Sequence, residues 1–146
     1  MVNRLKLLVE QLKRSGTINS KELENAFLNV DRLAFFPKEG ENFAFVDTSY
    51  SIGPDSTISQ PTTIALMLSI LEVSKDEKVL EVGSGSGYVL ALIHKITNQL
   101  VYGIELHENL VKKSKETLKK LNIPVKIIQG DAKKGFTKEK DFDKIL

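Results

Sequence analysis

From Lys78 onward the chain alternates between two hydrophobic periods, and that alternation limits the fold more than any other feature. Short apolar runs over Lys78–Val82, Leu100–Leu106 and Val125–Gln129 read as strands, while Val89–Ile96 and Glu108–Leu121 carry apolar residues at helical spacing. Strands alternating with helices build a parallel sheet, because each helix returns the chain through a right-handed crossover. The expected class is α/β and Rossmann-like. The closing residues DFDKIL read as a fourth strand. Only about four strands are then present, the sheet is incomplete with a raw edge that natural sheets cover, and a chain truncated at its C-terminus is expected.

Ahead of the sheet, Leu5, Leu8, Val9 and Leu12 form the stripe of an amphipathic helix that Ser15 and Gly16 end. Asn19 and Glu22 stand at capping-box spacing and predict a second helix from Ser20 to about Asn29, with Leu23, Ala26 and Phe27 inside. Two helices with a short turn also describe a DNA-reading unit, but Glu22 and Glu24 against a lone Lys21 would repel phosphate. From Asp31 to Thr57 the period fades, Pro37, Gly40, Gly53 and Pro54 interrupt a stretch rich in Phe, and an irregular but packed segment is expected. Ser59 as N-cap, with Pro61 in the first turn, opens an apolar and mostly buried helix through Leu71. The expected organisation is a helical and irregular segment over residues 1–58, packed on a partial ligand-binding domain over residues 59–146.

Charge excludes some partners. Lys and Arg number 21 against 19 Asp and Glu, a net +2 that implies neither nucleic acid nor an anionic membrane. The run KKSKETLKK reads as a solvated helix face with Leu110, Leu118 and Leu121 inward. No cysteine is present, which excludes disulfides and thiolate metal sites, and no metal cluster is expected. The N-terminal residues carry charges every few positions, unlike a signal peptide, and a cytoplasmic location is expected.

The chemistry-bearing segment is Val79-Leu80-Glu81-Val82-Gly83-Ser84-Gly85-Ser86-Gly87-Tyr88, a strand entering a glycine turn that opens a helix. Glycines let the backbone bend sharply and approach a ligand, and the free N–H groups of a helix start favour anionic groups. A dinucleotide fingerprint would place its third glycine at position 88, where Tyr88 stands, and no Gly-Lys-Ser or Gly-Lys-Thr follows to make a P-loop. Glu105 ends the next strand about twenty residues beyond the turn, where an acid accepts from ribose hydroxyls. Gly130-Asp131-Ala132 ends the strand after that.

The Glu-x-Gly-x-Gly-x-Gly pattern resembles the first motif of the S-adenosylmethionine-dependent methyltransferases, and the Gly130-Asp131 pair resembles their adenine-edge motif. Upstream, Thr57-Ile58-Ser59-Gln60-Pro61, Ser51-Ile52-Gly53, Val30-Asp31-Arg32-Leu33-Ala34-Phe35-Phe36-Pro37 and Ala44-Phe45-Val46-Asp47 resemble the protein-L-isoaspartate O-methyltransferases, from about Thr17 to Leu146. The resemblance implies a Rossmann-like class I methyltransferase fold and an enzyme that passes the methyl of S-adenosyl-L-methionine to the free carboxylate of L-isoaspartyl residues, leaving S-adenosyl-L-homocysteine. It implies a catalytic Ser59, and cofactor contacts from Thr57, Ile58, Glu81, Gly83, Ser84, Gly85, Ser86, Gly87, Glu105, Leu106, Asp131 and Ala132. A carboxylate is already ionised at neutral pH, so alignment and a dry site matter more than a general base, and His94 and His107 read as structural. Phe45, where the family commonly has Tyr, and Pro54-Asp55-Ser56, where a glycine-rich or glutamine-containing turn is usual, depart from the pattern. The competing expectations are a methyltransferase acting on RNA or a small molecule, and a non-catalytic module that keeps the fold as an interaction surface.

Overall fold

The computed structural model describes residues 3–53, 55–136 and 139–146. Pro54, which the sequence marks as a break, lies outside the described residues. The first helix, α1 (Arg4–Arg14), starts where the Asn3 side chain accepts the Lys6 amide proton at 3.2 Å, and buries Leu8, Val9 and Leu12. In α2 (Lys21–Asn29) the cap is Ser20, whose hydroxyl accepts the Leu23 amide at 3.1 Å, not Asn19. That one-residue shift puts Leu23 where Glu22 would complete a box, and a single-residue cap replaces the expected pair.

The stretch expected to be irregular contains short regular pieces: 3-10 turns over Arg32–Phe35 and Lys38–Phe43, then a hairpin of β1 (Tyr50–Gly53) and β2 (Ser56–Ile58). The rings of Phe36 and Phe43 lie 5.3 and 5.4 Å from that of Tyr50. Gly40 makes room for this cluster, since a Cβ there would fall 2.6 Å from the Tyr50 ring.

Helix α3 (Pro61–Leu71) corrects two expectations. Its cap residue is Gln60 rather than Ser59, and neither side chain caps it. Asp47 does so from 15 residues away, accepting the Thr62 amide at 2.8 Å, the Thr62 hydroxyl at 2.6 Å and the Gln60 side-chain amide at 3.3 Å. The helix is also one-sided. Ile64, Ala65 and Leu68 are buried, with α1 and α2 packed against the helix, whereas Leu66, Met67 and Ile70 are exposed.

The sheet follows the sequence closely. Strands β3 (Val79–Val82), β4 (Val101–Glu105), β5 (Val125–Gln129) and β6 (Lys144–Ile145) lie in the order β5-β4-β3-β6, every pair parallel. Helices α4 (Tyr88–Thr97) and α5 (Glu108–Lys120) make the crossovers. Strand side chains alternate between faces. Val79, Val101, Val125 and Ile127 join the main core with Leu90, Leu92, Ile93 and Leu118, each of the last four fully buried. Burying each of these large aliphatic groups contributes about 1.5–3 kcal/mol.

The opposite face has Leu80, Tyr102 and Ile104 under Phe136 and Phe142. Those two rings and Tyr102 meet edge to face at 5.3–6.2 Å, and Lys78 and Lys126 lie over the Tyr102 ring while both pair with Glu139. Among the described residues no helix is long and apolar enough to cross a membrane.

Candidate functional site

The parallel order puts the ends of β3, β4 and β5 side by side, and the carboxyl ends of such strands are where this fold class binds ligands. Beyond β3 the chain turns back at once, with the amides of Gly83 and Ser84 donating to the Ile104 carbonyl at 2.8 and 3.2 Å. The turn is held by one carboxylate. Glu105, 5% exposed, accepts the Gly85 amide through Oε2 at 2.8 Å and the His107 amide through Oε1 at 2.9 Å. Each carboxylate oxygen retains a further lone pair for a ligand hydroxyl. Next along the sheet, the Gly130 amide donates to the Glu105 carbonyl at 2.9 Å, and Asp131 Oδ1 accepts the Lys133 amide at 3.0 Å, opening the 3-10 turn Ala132–Lys134.

Two glycines of the turn do different jobs. Gly83, at φ +78°, faces open space, for a Cβ there meets nothing within 4 Å. Gly87, at φ +85°, is buried instead, and a Cβ would lie 2.8 Å from Leu118 Cδ1 and 3.2 Å from Ser114 Cβ. Its absence of a side chain lets α4 seat against α5.

A cleft of roughly 330 Å³ opens at these strand ends, within the size range of small-ligand sites. Of the residues expected to hold a cofactor, Thr57, Gly83, Gly85, Glu105, Leu106, Asp131 and Ala132 line it. Ile58, Glu81, Ser84, Ser86 and Gly87 do not. Ile58 and Ser84 are buried beside it, and the Ser84 hydroxyl has no hydrogen-bond partner among the described residues. Glu81 points to the helix-covered face. Burial first, and the charge of Glu105 second, hold its carboxyl well above the usual carboxylate range.

The sequence reading missed Asp55, Ser56, Val82, Ile104, His107 and Gly130 as lining residues. Val82 and Ile104 were legible, since both end strands and alternate onto the same face as Leu80. Asp55 and Ser56 were not, because a long-range fold of the hairpin brings them there: the Ile52 side chain and the Thr57 carbonyl lie within 4 Å of a Cβ built on Gly85. Ser59 is exposed just beyond β2, off the cleft lining. Of the histidines, His94 meets the Gln99 carbonyl through Nδ1 at 2.8 Å, and His107 precedes α5 at the cleft rim. Among the described residues no group of three or more His, Cys, Asp or Glu could hold a metal ion.

A glycine turn after the first parallel strand and acids at the ends of the next two define a Rossmann-like class I methyltransferase fold. Residues 3–146 match the family described as Protein-L-isoaspartate(D-aspartate) O-methyltransferase (PCMT), and the chain belongs to that family. Among curated relatives, a protein-L-isoaspartate O-methyltransferase of Petrotoga mobilis is 44% identical over 144 residues, covering 97% of this chain and 67% of its own length. Another, of Thermococcus sibiricus, is 37% identical over 141 residues, covering 95% of this chain and 64% of its own. The chain thus spans about two thirds of the length of such relatives. Among solved structures, a putative protein-L-isoaspartate O-methyltransferase of Plasmodium falciparum in complex with S-adenosyl-L-homocysteine aligns with TM-score 0.83 and 31% identity, over 99% of this chain and 72% of that one.

Proposed function

We propose that the protein transfers the methyl group of S-adenosyl-L-methionine to the free carboxylate of L-isoaspartyl residues in damaged proteins and peptides. The observation that carries the cofactor is an unobstructed Gly83 after β3 sharing one cleft with Glu105 at the end of the adjacent β4 and Asp131 just beyond β5. The residues fit that group. Glu105 has lone pairs left to accept from ribose hydroxyls, Asp131 has Oδ2 left for the adenine amino edge, and Leu106, 59% exposed, offers an apolar surface at the rim. Gly83 and Gly85 leave room for the amino-acid portion.

When bound, the cofactor supplies an electrophilic sulfonium methyl. The chain contributes orientation and water exclusion, which suit a nucleophile that needs no base. Thr57 lies on the cleft wall, and Ser59, two residues further and exposed just outside the lining, is the hydroxyl assigned here to meeting the incoming carboxylate. The family membership supports this substrate class over RNA or a small molecule.

The test pairs an isoaspartyl peptide with its normal aspartyl twin and follows base-labile methyl ester formation. Esterification of the isoaspartyl peptide alone is expected. Cofactor binding with neither peptide esterified contradicts the reading.

A further inference from the structure

Arg32 is fully buried, yet only one of its nitrogens is used. Nη2 donates to the Ser59 carbonyl at 3.0 Å and, more weakly, to the Thr48 carbonyl at 3.5 Å. Nε and Nη1 find no acceptor among the described residues, and the guanidinium lies between the rings of Phe36 and Tyr88, 5.1 Å from each centroid. A buried charge with most of its donors unpaired is costly, and apolar residues of similar volume often replace such groups with no loss of stability. Packing alone therefore gives no reason for an arginine here.

The bonds it does make converge on one place. Ser59 and Gln60 join β2 to α3 with no side-chain cap of their own, and Asp47 grips the far side of the same segment through Gln60 and Thr62. Arg32 grips the near side through the Ser59 carbonyl. The same guanidinium stacks on Tyr88, the first residue of α4 and the one after Gly87. One side chain thus spans the Ser59 segment and the helix that the glycine turn opens.

We propose that Arg32 is a positioning residue which, opposed by Asp47, clamps the Ser59 segment in register with the glycine turn. The inference rests on the reading above, in which Ser59 meets the substrate carboxylate. Cation–π contact with Phe36 and Tyr88 offsets part of the burial cost. The remainder is stability given up for a fixed hydroxyl, a trade common at functional sites.

Arg32→Met keeps the volume and removes the charge; Arg32→Lys keeps a donor that reaches for the Ser59 carbonyl. In the 146-residue chain, amide exchange at Thr62 and Ile64 is read against Leu92 and Ile93 in α4, together with the thermal midpoint and calorimetric binding of S-adenosyl-L-homocysteine. For Arg32→Met we expect exchange at Thr62 and Ile64 to quicken about tenfold, the size of one lost charge-assisted bond. The α4 amides, the midpoint and the binding constant should stay near wild type, and Arg32→Lys should recover part of the protection. Unchanged exchange at Thr62 and Ile64 overturns the clamp. A lower midpoint with exchange quickened through α4 as well overturns it too, for Arg32 is then merely structural. These readouts need no turnover, so a wild-type protein that esterifies no peptide would defeat the proposed function and leave the clamp separately judged.

Discussion

The glycine turn and the Ser59 segment are both short connections leading into helices, but they are held in opposite ways. The turn is fixed by its neighbours in the sheet: Ile104 accepts Gly83 and Ser84, and Glu105 accepts Gly85. The Ser59 segment is fixed from outside the sheet, by Arg32 and Asp47, which lie 27 and 15 or fewer residues away in sequence within an irregular stretch. The difference teaches that the glycine turn is built into the parallel-sheet scaffold itself, whereas the Ser59 segment depends on the irregular front of the chain.

The sharpest way to break the turn is Gly87→Ala. A left-handed backbone costs a non-glycine residue about 1–2 kcal/mol, and a Cβ driven into Leu118 adds about 1–3 kcal/mol. Urea denaturation should show a large loss of stability, and cofactor binding should fall with it.

The matching damage to the other region is Asp47→Ala, which strips acceptors from Thr62 and Gln60. Loss of that cap should cost about 1–2 kcal/mol, read as a lower denaturation midpoint with early fraying of α3 while cofactor affinity is kept. An equal loss of affinity would erase the distinction between the two regions.

A smaller effect separates the turn from the buried carboxyl behind it. Glu81 has its folded pKa raised above the ordinary 4.5, chiefly by burial and then by Glu105. Its contribution is therefore fully present below about pH 4.5 and is lost as pH rises through the folded value. Glu81→Gln, which cannot ionise, should flatten this decline, so its stability relative to wild type improves as pH rises above the ordinary 4.5 in thermal denaturation. The smallest structural effect is expected for Ser59→Ala: an exposed hydroxyl with no capping role leaves the midpoint within about 0.5 kcal/mol, while ester formation falls.

What the sequence revealed follows the same division. Strand and helix bounds from Lys78 to Gln129 agree with the structure to within a residue or two, because buried alternation and helical spacing are local signals. Glu105 and Asp131 were legible as cleft residues for the same reason, one ending β4 and the other following β5 by two residues. The short pieces between Asp31 and Thr57 were not, since Arg32, Asp47 and Tyr50 owe their conformations to partners distant in the chain. Glu81 shows a third case. Motif spacing placed it with the ligand, but the alternation of β3 turns it to the helix-covered face, opposite to Leu80.

The central claim is that the cleft at the ends of β3, β4 and β5 holds the cofactor, and calorimetric titration of S-adenosyl-L-homocysteine into wild type and Asp131→Ala tests it most directly. The account predicts saturable one-to-one binding to wild type and a loss of about tenfold or more in the variant, the worth of one hydrogen bond to a charged group. A folded wild-type protein that binds nothing, or an Asp131→Ala variant that binds equally well, would contradict it.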